Sequence, residues 1–443
     1  MPIEKVVAFT TLILCVAGTA SADIPASADD IPAPVIAAHQ FNLMDYGAVP
    51  DGKTLNTKAF ADAVSAVTAA GGGTLTVPSG AFLTLPFKLT SHMELHLAAG
   101  AVIQFPPSLA AYGLPTNPAM AAPGQMADFR KNTPALITGN DLTDISITGQ
   151  GAIDGGGAPW WVLARSPTGM HTSYGNDRPK LLVLTNCQRI LISGVTLRNS
   201  PMYHLVPTMC QDILVDGVHI IAPGRAPNTD AIDPMASQNM VIRDCDLDVG
   251  DDDVAVKAIQ GPCCNILIEN CRCKHGHGIS IGSETYKGIH DVAVRDCTFD
   301  GTTNGIRIKS ARDRGNDLYG FAFSNISMKN VDTPITINLY YMDKPGAHNR
   351  TPKPVTASTP TLHGVRIENV NVTGANHAGD ITGLPESSVK DVTFSNVTIA
   401  ANHGMTVTDA TGITFKNVDI EATSGQPLIS NHADVNWDRP QGG

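Results

Sequence analysis

Along most of this chain, apolar and polar residues alternate over short runs that end at glycine, asparagine or aspartate. The phrase returns as ISITGQGAIDG from Ile145, LISGVTL from Leu191, LVDGVHI from Leu214, VIRDCDL from Val241, LIENCRC from Leu267 and AVRDCTF from Ala293. It continues as AFSNISM from Ala322, VRIENVNV from Val365, VTFSNVTI from Val392 and ITFKNVDI from Ile413. Period-two alternation marks half-buried strands, and the terminating residues favour corners. A single repeat of roughly 21 to 29 residues cannot bury its own apolar face, whereas stacked repeats enclose one continuous core. The segments between the phrases lack helical periodicity, which argues against leucine-rich and helical repeats. The pattern predicts an all-β solenoid, a parallel β-helix forming one domain over residues 41–430.

An open end of such a stack exposes apolar surface and unpaired strand edges, so a cap is expected. The stretch NTKAFADAVSAVTAA over 56–70 supplies it, with Asn56 as N-cap, Phe60, Val64 and Val67 on one helical face, and Gly71-Gly72-Gly73 as terminator. Residues 23–40, rich in alanine and proline, read as a linker, and 431–443 as a loose polar tail. The first 22 residues, MPIEKVVAFTTLILCVAGTASA, combine a lysine, an apolar stretch from Val6 to Gly18 and Ala20-Ser21-Ala22, the pattern of an export signal cut after Ala22. The apolar stretch is short for a membrane span, so the expected location is secreted or periplasmic, with no membrane partner.

Composition agrees with many short strands and tight turns: 41 glycines, 30 prolines and only 5% aromatic residues in 443. A formal charge of −11 argues against a nonspecific nucleic-acid binder, while a polyanionic sugar would need a local basic cluster. Once Cys15 leaves with the signal, eight cysteines remain between Cys187 and Cys297, an even number that permits disulfides. Cys245, Cys271 and Cys297 nevertheless recur at one fixed interval, which favours a stacked core position. Cys263 and Cys264 fit either role, and no zinc-type pairing with histidines is present.

The aspartate run in VGDDDVAVK (249–257) reads in isolation as a solvated turn or a calcium loop. Its neighbours change that reading. In VAVK (254–257), ISIG (279–282) and IRIK (306–309), alternation sends the aliphatic residues to the core and Arg307 and Lys309 to the outer face, side by side. Two positions before the first core aliphatic of each coil, taking Ile232 for the preceding one, a single column holds Asp230, Asp252, His277 and Asn304. Adjacent coils stack about 4.8 Å apart, so these side chains become near neighbours. Strict alternation would turn Asp252 and His277 inward, at high cost. The column is therefore expected at a corner, where Gly250, Gly276, Gly278 and Gly305 let the chain break parity.

Clustered carboxylates with a histidine suit acid/base chemistry on a carbohydrate, because glycoside hydrolysis needs one carboxyl protonated and another ionised. Mutual repulsion raises the pKa of one carboxyl, and a cation tunes the rest. Arg307 and Lys309 are placed to bind a substrate carboxylate, as a uronic acid polymer would provide.

The set NTD (228–230), GDD (250–252), GHG (276–278) and RIK (307–309), in that order on successive coils, resembles the pectin-degrading polygalacturonases, glycoside hydrolase family 28. The likeness runs from about Phe41 to beyond residue 420 and includes NSPMYHL (199–205) and the capping helix. It implies a right-handed parallel β-helix that hydrolyses α-1,4-galacturonic acid linkages of polygalacturonate or pectin with inversion, as a monomer and without a metal or other cofactor. Carried over by position, Asp251 is the general acid, Asp230 and Asp252 hold and activate water, and His277 assists near the acid. Arg307 and Lys309 grip carboxylates, Asn228 contacts substrate, and Tyr341 is the active-site tyrosine, with Tyr340 beside it competing for that role. Two positions depart from the pattern: Asp253 stands where cysteine is frequent, and Ala231 where glycine is frequent.

Rhamnogalacturonan hydrolysis is the nearest rival. A calcium-dependent lyase would yield an unsaturated product and lose activity with chelator, and a noncatalytic sugar-binding β-helix would tolerate loss of Asp251. Endo or exo attack depends on loops that close the groove, which these motifs do not encode.

Overall fold

The computed structural model describes residues 24–116, 125–164, 177–343 and 349–438. The proposed export signal lies outside them, and among the described residues no helix is long and apolar enough to cross a membrane. The strands stack in parallel, each on its counterpart one turn of chain earlier, so that the coils form a parallel β-helix. One wall stacks Gln188–Ser193, Gln211–Asp216, Gln238–Arg243, Cys263–Glu269 and Ile289–Arg295. A second stacks Thr196–Arg198, His219–Ile221, Asp246–Asp248, Arg272–Lys274 and Thr298–Asp300. The third carries the site: Ala135–Asn140, Lys180–Thr185 and Leu205–Thr208. It continues through bridges at Ile232 and Met235 into Val254–Val256, Ile279–Ile281, Asn304–Lys309 and Thr333–Asn338.

Inside the coil, aliphatic side chains stack into one apolar core from Leu43 to Ile420. The corners are asparagines and aspartates in the left-handed region, such as Asp244 (φ 55°), Asn270 (φ 51°), Asp296 (φ 55°) and Asn325 (φ 55°). These residues tolerate that conformation because their short polar side chains bond locally. Here the bonds run between coils: Asn325 donates to Asp296 (3.0 Å), Asn369 to Asn325 (3.1 Å), Asn396 to Asn369 (3.1 Å) and Asn417 to Asn396 (2.8 Å). All eight cysteines from Cys187 to Cys297 are buried free thiols, and the thiol of Cys271 lies between those of Cys245 and Cys297, the stacked core position their spacing suggested.

The capping helix spans Thr57–Ala69, with Phe60 and Val67 fully buried and Phe60 stacked on Phe87 at 4.7 Å. Asn56 precedes it but makes no side-chain cap. Its amide instead bonds Val49 and Thr54 just before it and the carbonyl of Leu83, one coil further along the chain. The stretch read as a linker lies along the outer surface, where Ala28 and Ile31 cover Val241 and Leu267, apolar residues at outward positions. The tail also differs from a loose end. Strand continues to Asp438, and Ala433, Val435 and Trp437 pack on the last coil, with the Trp437 indole donating to the Val418 carbonyl at 3.0 Å. Apolar core left open at that end is what these three residues cover.

Candidate active site

The register of the third wall aligns Leu205, Ile232, Val254, Ile279, Ile306 and Ile335. Two positions back, the column therefore reads Tyr203, Asp230, Asp252, His277, Asn304 and Thr333, with the four residues expected from sequence in consecutive coils. The parity break is also present. Asp252 does not enter the apolar core; it meets the outward cations, with Lys309 Nζ 2.6 Å from Oδ2 and Arg307 Nη1 3.1 Å from Oδ1. Ser280 Oγ donates to the same Oδ1 at 2.8 Å.

Three environments distinguish the carboxyls. Asp252 is 2% exposed, and burial alone would raise its pKa, but Lys309 and Arg307 outweigh burial and hold it well below the usual carboxylate range. Asp230, 3% exposed, is pushed well up by burial and then by Asp233 and Asp251, against the opposing charge of Lys257. One oxygen of Asp230 lies 3.3 Å from Lys257 Nζ, and the other is buried without a partner. Asp251 is the most open of the three, its side chain 22% exposed. His277 Nδ1 lies 3.1 Å from Asp251 Oδ1, and Asn228 Nδ2 donates to Oδ2 at 3.4 Å. The His277 backbone N–H also donates to the Asp251 carbonyl, which ties the two corners together.

Tyr341 is exposed and its ring lies over Arg307 (5.4 Å) and Lys309 (5.1 Å). Tyr340 is buried and bonded to Arg312, on the other side of the turn. Of the two adjacent tyrosines, Tyr341 is the one beside the two cations.

One oxygen each of Asp251 and Asp252 and a ring nitrogen of His277 lie within 4.8 Å of one another, a spacing a divalent ion could span. Asp252, however, already has both oxygens engaged by two cations and a hydroxyl, so a metal there would face two positive charges. The donor set suits proton transfer better than metal binding.

A profile of Glycosyl hydrolases family 28 matches residues 70–433. The chain belongs to that family. The family 28 chain is 34% identical over 395 residues to a probable polygalacturonase of Vitis vinifera, covering 85% of this chain and 78% of that one. It is 34% identical over 280 residues to an endo-polygalacturonase of Pectobacterium carotovorum subsp. carotovorum, covering 61% and 68%. A solved exopolygalacturonase from Thermotoga maritima superposes with a TM-score of 0.72 at 25% identity, over 90% of this chain and 95% of that one. As a member of family 28 the protein is a glycosidase.

The candidate site also contains residues that sequence reasoning missed. Arg178 is buried and donates to the carbonyls of Pro201 (2.8 Å) and Pro227 (2.7 Å) and to Asn228 Oδ1 (2.7 Å), fixing the asparagine that touches Asp251. His204 is buried, and burial pushes its pKa down to about 4. Its Nε2 accepts from the Ser200 N–H, leaving Nδ1–H to donate to the Asp230 carbonyl at 3.1 Å. Lys257 ends the VAVK strand and contacts Asp230 and Asp233. Neither Arg178 nor His204 carries a pattern of its own, although His204 lies within NSPMYHL. Lys257 had a signal, since it shares one outward register position with Lys309.

Proposed function

We propose that this glycosidase hydrolyses α-1,4-galacturonosidic bonds of polygalacturonate or pectin by inverting acid/base catalysis. Asp251 donates its proton to the glycosidic oxygen as the C1–O bond breaks. Water adds to C1 from the opposite face and loses a proton to the Asp230 and Asp252 pair. The unpartnered oxygen of Asp230 offers that water an acceptor. His277 and Asn228 orient Asp251, and Asn228 also meets substrate. Arg307 and Lys309 each keep donors beyond those spent on Asp252, and these face a uronate carboxylate beneath Tyr341.

The observation that carries this reading is the meeting of the Arg307 and Lys309 pair with the three-carboxyl cluster in one outward groove. A uronate polymer offers these cations carboxylates that a neutral polymer lacks. The names of the two curated relatives support the same substrate. An extracytoplasmic monomer suits a polymeric substrate, which cell fractionation and sedimentation test.

Digestion of polygalacturonate is the decisive experiment, with product lengths followed over time. Saturated products carrying new reducing ends are expected, with the opposite anomer formed first in proton NMR. An unsaturated, ultraviolet-absorbing product would sink the reading in favour of elimination, and cleavage confined to rhamnogalacturonan would change the substrate. Monomer alone marks exo attack, and a ladder marks endo attack.

A further inference from the structure

Asp252 has its own lysine, and the wall provides a second one for Asp230. Register places Met235, Lys257, Gly282, Lys309 and Asn338 in one outward column on successive coils. Gly282 puts no side chain between the two lysines. Lys309 reaches back to Asp252 at 2.6 Å, and Lys257 reaches back to Asp230 at 3.3 Å and to Asp233 at 2.6 Å. Lys257 is itself buried, its ammonium 4.1 Å above the Tyr203 ring. A buried ammonium is costly unless paired, so a lysine held here needs the carboxylates it touches.

We propose that Lys257 is a positioning residue of the hydrolysis: it ties down one oxygen of Asp230, leaves the other for the attacking water, and supplies the positive charge that lets this buried carboxyl ionise. The inference rests on the functional reading above. Around Asp230 stand the carboxyls of Asp233, Asp251 and Asp252, the Lys257 ammonium and the Tyr203 ring, while the neutral His204 meets only its backbone carbonyl. Lys180 and Glu284 act from further out, through Asp233, Tyr203 and Lys257. Burial and the three carboxyls all disfavour a charged Asp230, and Lys257 opposes them. Asp233 competes for the same ammonium and holds it more closely.

This competition gives two variants opposite signs. In Lys257→Met, Asp230 loses its opposing cation and stays protonated to higher pH, so the acid limb of the kcat/KM profile on polygalacturonate moves up by roughly one pH unit or more. In Asp233→Asn, a negative neighbour disappears and Lys257 serves Asp230 alone, so the limb moves down. KM stays within a few-fold in both. A merely structural lysine would lower the amount of active enzyme without moving either limb in these directions. Wild-type cleavage of polygalacturonate is measured first, and its absence means that the functional reading has failed. Wild-type cleavage, with folded variants whose acid limbs coincide with wild type, overturns the role of Lys257 alone. If Lys257→Met does not fold, a limb in Asp233→Asn that stays in place or moves up overturns it equally.

Discussion

On the groove side of the corner at residue 252, a buried carboxylate meets a lysine, an arginine and a serine hydroxyl. One residue further on, Asp253 is turned into the wall between coils, where one oxygen accepts the Gly278 N–H at 2.9 Å and the other has no partner. Both side chains are hidden from solvent, yet burial and the neighbouring carboxylates drive the Asp253 pKa well up, while the cations hold that of Asp252 well down. Burial does not decide ionisation here; partners do. The difference also divides the labour. Asp252 faces the two cations, whereas Asp253 packs against Gly276 beside His277. A Cβ on Gly276 would come within 2.6 Å of the Asp253 carboxyl, so that glycine and the acid fit closely, and the Gly278 N–H bonds the same carboxyl.

Exchanging each carboxyl for an amide tests the comparison most strongly. Asp252→Asn should lower kcat on polygalacturonate about 10²- to 10⁴-fold, the usual contribution of a positioned acid or base. Asp253→Asn should leave the rate and its pH profile close to wild type, because an amide resembles a protonated acid. Release of reducing ends by each variant, with circular dichroism to confirm folding, checks both. Equal losses in the two variants would mean that Asp253 is charged and shares the chemistry.

Next in size is removal of the cation. Lys309→Met breaks a buried ion pair, and such breaks cost about 3–5 kcal/mol. The pH dependence carries a sign. The folded-state pKa of Asp252 is depressed, so its stabilising contribution is complete above the unfolded carboxylate value, about 3.9, and fades as pH falls below it toward the folded value. Without Lys309 that depression shrinks, and wild type and variant should converge as the medium is acidified. Urea unfolding of both between pH 3 and pH 7 reads the gap. A gap that does not change with pH would mean that Lys309 acts by packing rather than charge.

These residues also show what was legible in the chain. The register was readable because Ile232, Val254, Ile279 and Ile306 recur at matched positions, and so the column of Asp230, Asp252 and His277 followed. The direction of Asp252 came only from the cost of burying it, since alternation alone points it inward. Lys257 could have been found by carrying the Lys309 position back two coils. Arg178 could not, because its partners come from segments that become neighbours only after coiling. The polar composition of the tail carries no strand signal, although Trp437 is the residue type that would close an open core. Apolar residues at outward positions, Val241 and Leu267, were a similar signal for the segment around Ile31 that covers them.

The remaining expected effect concerns the stability of the folded protein rather than its rate, and it lies at Asp253. Because its folded-state pKa is raised, the native state binds more protons than the unfolded chain between the unfolded carboxylate value and the folded one. Stability therefore falls as pH rises through that window, by about 1.4 kcal/mol for each pH unit crossed. Asparagine has no such dependence and keeps an oxygen for the Gly278 N–H. The melting temperature of Asp253→Asn should thus match wild type below the unfolded carboxylate value and exceed it increasingly as pH rises above that value. Asp253→Ala loses the Gly278 bond as well, loosening the loop that sets His277 against Asp251, and should lower kcat where the amide does not. If Asp253→Asn instead became less stable with rising pH, the carboxylate would be ionised and paired in the native state. The contrast between the two adjacent aspartates would then collapse.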